Sequence, residues 1–187
     1  MKPKNQAPIW RPAAASDLTA MIKIAYAIHP DLPERPEVFA EKFELFSAGC
    51  FVLTSCNEIV GYGLSHPWVL NDIPPLDTFL RFKPPSANCL YVHDVVILPS
   101  ARGHASAGRY IDLMTKVAAN SGLDFLALVS VYETHTLWRK YTFNLVSDPK
   151  LVAKLESYGA AAKYMIRDLR FPYNWVTDVE LARVRTH

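Results

Sequence analysis

Two long apolar runs bracket one amphipathic helix pattern, and this arrangement constrains the chain most. The first run, CLYVHDVVIL at 89–98, is rich in β-branched residues and nearly continuous. The second, LDFLALVSV at 123–131, has the same character. Strands of this kind are buried on both faces, so both belong at the centre of a sheet. Between them, RGHASAGRYIDLMTKVAANSG predicts a helix closed by Gly122 as C-cap, with Ile111, Met114, Val117 and Ala118 on its buried side. Strand, helix and strand in this order predict a parallel pair joined by a crossover helix.

The remaining segments build around that unit. APIWRPAAASDLTAMIKIAYAIH reads as a short strand and then a helix, with Ser16 or Asp17 as the capping acceptor. Leu18, Met21, Ile22, Ala25 and Ile28 share one face of that helix. HPDLPERP breaks it, and EVFAEKFELF gives a second helix with a Phe39, Phe43 and Phe46 stripe. CFVLTSC and IVGYGLSHPW read as an antiparallel hairpin around a turn at Asn57 and Glu58. The Pro-rich segment 69–88 is expected to be a long irregular loop, and such loops are often functional. THTLWRKYTF is a short helix leading into the strand FNLVS, DPKLVAKLESYG a loop, and AKYMIRDL a last strand. The sum is an α/β chain (α+β in some schemes), with a mixed sheet and helices on both faces. One domain at 8–169 is expected, with a tail at 1–7 and an aromatic, then charged, extension at 170–187. That extension suits packing on the domain or contact with a partner, and a homodimer is compatible with it.

Composition narrows the function classes. Half of the 187 residues are hydrophobic and a fifth are charged, as in a soluble globular chain. A formal net charge of +2 is too small to argue for nucleic acid or an anionic membrane surface. Cys50, Cys56 and Cys89 are few and odd in number, and no pair has zinc spacing, so reduced thiols in a cytoplasmic protein are expected. MKPKNQAPIW lacks the apolar region of a signal peptide, and no run approaches the roughly 18 apolar residues that span a membrane.

The turn between the central strand and its helix carries the chemistry. A helix start offers unpaired N–H groups and a partial positive charge, which bind phosphate where a ligand can approach the backbone. Gly103, Ala105, Ser106, Ala107 and Gly108 keep that surface low, and Arg102 adds a forked donor. The same small residues also suit a tight strand–helix packing turn. The spacing matches neither a dinucleotide fingerprint nor a P-loop, so a Rossmann-type enzyme is disfavoured.

At these residues the chain resembles the GNAT superfamily of acyl-CoA-dependent N-acetyltransferases. Their signature is a strand, V-x-P-x-x-R-G-x-G-x-G/A, then a helix. Here ILPSARGHASA at 97–107 keeps the proline, the Arg102–Gly103 pair and the final small residue, with Ala105 in place of the middle glycine. Such a methyl is tolerable where φ is negative. Downstream, LWRKYTF at 137–143 is similar to the family's L-Y-x-K-x-G-F, with Trp138 for the tyrosine and Thr142 for the glycine. The resemblance covers about residues 8–169.

It implies a sheet of about seven strands whose central parallel pair splays apart around acetyl-CoA. It also implies direct transfer of the acetyl group to a primary amine, of a small molecule or a peptide. The implied cofactor contacts are Val95, Val96, Ile97, Leu98, Arg102, Gly103, His104, Ala105, Ser106, Ala107 and Trp138. An alkylammonium must lose a proton before it attacks, and His93 and Asp94 are the candidate bases. They alternate along the strand, so only one should face the amine, and His93 is favoured because a histidine suits the working pH. Arylalkylamine N-acetyltransferases carry a catalytic histidine at the position like His93, and glucosamine-phosphate acetyltransferases a Glu-Asp pair. Trp138 has no titratable group to act as the acid, Tyr141 lies near it, and a thiol with a pKa of ~8.5 leaves without an acid. His93 is equally readable as a core histidine, Asp94 as a structural partner and Trp138 as core or as a wall beside CoA. Tyr26, His29 and Asp31, and His66, Pro67 and Trp68, are weaker acceptor-site candidates. A non-catalytic acyl-CoA-binding module on the same fold is the other function class that these departures keep open.

Overall fold

The computed structural model of the chain describes residues 7–171. In chain order the elements are β1 (Ile9–Pro12), α1 (Leu18–Ile28), α2 (Pro36–Leu45), β2 (Cys50–Ser55), β3 (Glu58–Trp68) and β4 (Cys89–Ile97). Then follow α3 (Ser106–Asn120), β5 (Phe125–Ser130), α4 (His135–Arg139), β6 (Asn144–Leu145), α5 (Pro149–Leu155) and β7 (Lys163–Asp168). The strands form one seven-stranded sheet in the order β1-β2-β3-β4-β5-β7-β6. β4 and β5 are neighbours and parallel, as their flanking helix requires, and the other pairings are antiparallel. The last strand, β7, inserts between β5 and β6.

Successive strand residues face opposite sides, so each strand feeds two cores. On one face Phe51, Leu90, Val92, Leu126 and Leu128 pack against Tyr110, Ile111, Met114 and Ala118 of α3. On the other, Val52, Tyr62, Leu64 and Val96 meet Met21 and Ile24 of α1 and Phe39 of α2. Further along that face Tyr91, Ala127 and Tyr164 meet Leu151 of α5. Helices therefore cover both faces, as expected. Gly63 sets the α3 face: a Cβ there would lie 2.1 Å from the ring of Tyr110, so only glycine admits that tyrosine.

Four local expectations change. α1 has no side-chain cap; Asp17 instead turns back to accept the Ala14 N–H at 2.8 Å and the Arg11 guanidinium at 2.6 Å. The hairpin turn sits one residue earlier, with Cys56 and Asn57 both left-handed. The stretch predicted as a loop at 148–159 holds α5, started by Pro149 in its first turn and by Asp148 accepting the Lys150 N–H at 2.9 Å. α3 begins at Ser106, because Pro99–Ala101 form a 3-10 turn and Gly103 and Ala105 are left-handed. Its far end closes as predicted: Gly122 is left-handed and the N–H of Leu123 reaches back to Ala118 at 2.9 Å.

The 69–88 segment contains no helix or strand, yet it is pinned to the domain. Leu80 and Arg81 donate to Glu41 at 2.7 and 2.9 Å, and Arg35 grips Asp77 through Nε at 2.9 Å. The extension from which a partner contact is expected lies outside the described residues beyond Phe171. Among the described residues no helix is long and apolar enough to cross a membrane, and no cluster of ligating side chains could hold a metal ion.

Candidate active site

The parallel pair separates partway along. β4 and β5 are paired from Cys89 and Phe125 to Val92 and Leu128. Beyond that point β4 continues on β3, with Asp94 opposite Leu64 and Ile97 opposite Gly61. β5 continues on β7 through Val129 and Ser130. The two arms leave a cleft of about 930 Å³, floored by an edge of β4 that has no strand partner. The start of α3 lies at the same cleft, with no side chain capping it.

Most of the sequence-predicted site residues line this cleft. Val95, Val96 and Ile97 come from the open edge, and Arg102, Gly103, Ala105, Ser106 and Ala107 from the turn and helix start. Trp138 lines it too, donating its indole N–H to Thr134 at 3.2 Å, and Tyr141 lies beside it against Gly108. Leu98 and His104 do not line it: Leu98 packs in the α1–α2 core and His104 is exposed. Arg102 donates Nε to the Ile97 carbonyl at 3.1 Å, which fixes the fork beside the helix start. Ala105 has φ +54°, so the negative φ that would make its methyl comfortable is not what the turn adopts.

His93 and Asp94 both line the cleft, against the expectation of strict alternation. Asp94 pairs with Leu64 and Val92 with Ser65, and His93 is the extra residue of a bulge. Their side chains then differ sharply in access. The His93 side chain is 1 % exposed, with Nε2 2.6 Å from Glu34. The Asp94 side chain is 20 % exposed, accepts a hydrogen bond from the Tyr62 hydroxyl, and lies 3.2 Å from Nε2 of His29.

Around these two residues the fold assembles groups far apart in sequence. Glu34, from the α1–α2 connection, also takes Nζ of the buried Lys42 at 3.1 Å and the Asp77 N–H at 3.2 Å. Burial alone would push the Glu34 carboxyl up, but His93 and Lys42 outweigh it and hold the carboxyl far below its ordinary range. Burial opposes charge on His29 as well, yet the contact with Asp94 raises its proton affinity above the usual value. The His29 ring stacks on Tyr132, whose backbone is left-handed at the end of β5. Burial drives His66, behind His93, well below the usual imidazole range, so it is held neutral. Burial pushes the Tyr62 hydroxyl well above its usual range, with Asp94 adding to the shift, so it remains a donor. Among the weaker sequence candidates His29 lines the cleft, whereas Tyr26, Asp31, His66, Pro67 and Trp68 do not. Cys50 and Cys89 are buried and their thiols are pushed up to about 12, and no cysteine among the described residues lines the cleft.

No family model matches the sequence, and no curated protein matches it. Solved structures do. Ard1 from Thermoplasma volcanium superposes with a TM-score of 0.66 at 12% identity, over 88% of this chain and 99% of that one. The loading GNATL domain of CurA from Lyngbya majuscula gives 0.67 at 15%, again over 88% and 99%. Arabidopsis thaliana Naa50, solved with the bisubstrate analogue CoA-Ac-MVNAL, gives 0.65 at 9%, over 87% and 99%. The splayed mixed sheet is thus the fold of the GNAT superfamily, as the 97–107 turn led one to expect. At these identities the likeness defines the fold, and the chemistry rests on the cleft itself.

Proposed function

We propose that the chain is an acyl-CoA-dependent acyltransferase, with acetyl-CoA as donor, that acylates a primary amine by direct transfer. The observation that carries this is the unpaired edge of β4 inside the cleft. Backbone N–H and C=O groups on a cleft wall require partners. An extended ligand with its own amides, lying along Val95, Val96 and Ile97, supplies them as an added strand would, and the pantetheine arm of CoA is such a ligand. The first-turn N–H groups of α3 and the fork of Arg102 suit its pyrophosphate. Two structural neighbours agree: a CoA bisubstrate analogue is bound in Naa50, and NatC was solved with CoA and a peptide.

Acyl-CoA, when bound, supplies an activated acyl group: the amine nitrogen bonds to the thioester carbonyl carbon, the C–S bond breaks, and CoA leaves as its thiol. The residues of the chain must bind the amine and accept its proton. Of the two candidate bases, Asp94 has its carboxylate open to the cleft, while the His93 ring is turned onto Glu34. We assign proton uptake to Asp94 together with His29. A lone carboxylate is a weak base at neutral pH; an imidazole in contact with it lets the pair hold one proton there. Tyr62 fixes the other oxygen of Asp94, and Glu34 fixes His93 and with it the bulge. Neither Cys50 nor Cys89 is placed for an acyl-enzyme relay, which favours direct transfer.

Thiol release from acetyl-CoA, measured with and without added amines, tests this. Amine-dependent release that falls at least tenfold in Asp94→Asn is expected. Binding of acetyl-CoA with no release for any amine would leave the cleft as an acyl-CoA-binding module.

A further inference from the structure

With the cleft taken as an acyl-transfer site, we propose that its acceptor is a small monoamine on an apolar or aromatic body, with no carboxylate near the amine. Among the described residues lining the cleft, Arg102 is the only lysine or arginine, and it sits at the α3 end. At the opposite end the charged wall groups are Asp94, Glu34 and the two imidazoles of His29 and His93. Glu34 is already engaged: Lys42 lies buried 3.1 Å from one oxygen, and His93 2.6 Å from the other. Asp94 keeps a fifth of its side chain open, so it is the anion that an incoming ammonium meets.

The rest of that end is apolar. Ile28, Leu32, Leu76, Val131, Tyr132 and Tyr158 form its walls, and Tyr132 is 48 % exposed with its ring stacked on His29. Such walls favour a hydrocarbon or aryl body, and an aromatic face tolerates a nearby ammonium. A carboxylate beside the amine would face Asp94 with no lysine or arginine on this part of the wall, a like-charge arrangement that selects against it. A second ammonium, as in a polyamine, would be stranded on apolar walls. A peptide would bring amides that these side chains cannot satisfy. The wall is also fixed: Leu76 N–H donates to Ser157 at 3.2 Å, and the Tyr158 hydroxyl donates to the Pro74 carbonyl at 2.7 Å.

Calorimetric titration of amines into the protein saturated with CoA, which cannot acylate them, separates binding from turnover. The probes are phenethylamine, L-phenylalanine, spermidine and the tripeptide Phe-Ala-Ala amide. Phenethylamine is expected to bind at least tenfold more tightly than each of the others, and acetyl-CoA turnover should follow the same order. Equal or tighter binding of any of the other three overturns the acceptor assignment and leaves the transferase function standing. Failure of CoA itself to bind removes both.

Discussion

Ala105 carries a methyl on a backbone with φ +54°, where an L-residue costs about 1–2 kcal/mol. The turn imposes this, since the chain must swing from the 3-10 turn ending at Ala101 into α3 at Ser106. Ala105→Gly relieves it, offset by the extra freedom of glycine in the unfolded chain. We expect the unfolding free energy to rise by about 0.5–1 kcal/mol in denaturant titration; a fall would mean the methyl has a packing role. Gly63 is the converse case. A Cβ there would sit 2.1 to 2.5 Å from three atoms of Tyr110, so Gly63→Ala must displace a buried ring. A loss of about 2 kcal/mol is expected by the same measurement, and a neutral result would show that the α3 face repacks freely. Sequence patterning identified the small residues of the turn before α3 but not their φ values, because local steric compromise leaves no periodic trace. It missed Glu34, Lys42, Tyr62 and Tyr132 altogether. Lys42 in particular reads as a solvated helix residue within FAEKFELF, and only the fold brings Glu34 above it.

The bulge in β4 and the connection between α1 and α2 act as one unit. The bulge brings His93 and Asp94 to one cleft, and Glu34 ties His93 to α2 through Lys42 and to the 69–88 loop through the Asp77 N–H. Bulges do not announce themselves in a β-branched run, which is why strict alternation was the natural expectation. The Glu34 carboxyl is held far below its ordinary value of 4.5, so its stability contribution is complete above that pH and is lost progressively as pH falls from there toward the lower folded-state value. In Glu34→Gln this one-proton slope disappears. Between pH 5 and 3 the wild type should therefore lose stability more steeply than the variant, by up to about 1.4 kcal/mol per pH unit. Parallel curves for the two proteins would show that Glu34 is not the titrating group. α5 was missed for a different reason: at seven residues it is too short for a helical period to stand out, although Asp148 and Pro149 are both start signals.

At the scale of the molecule, the parallel pair and both central strands were legible because burial writes itself into residue type, whereas the insertion of β7 between β5 and β6 was not. The near-continuous runs at 89–98 and 123–131 lie at the middle of the seven-stranded sheet, as such runs must. Where the strands part is not written there, since Val95 and Val96 look the same whether a neighbouring strand or a ligand covers them. That parting is what gives the fold a site: a sheet interior with one edge left open, a helix start beside it, and an acid–imidazole pair at its far end. Backbone amide hydrogen exchange at residues 93–97, with and without acetyl-CoA, tests this most directly. The open edge predicts that acetyl-CoA slows exchange there and at the first turn of α3. Unchanged exchange at both places under saturating acetyl-CoA would contradict it.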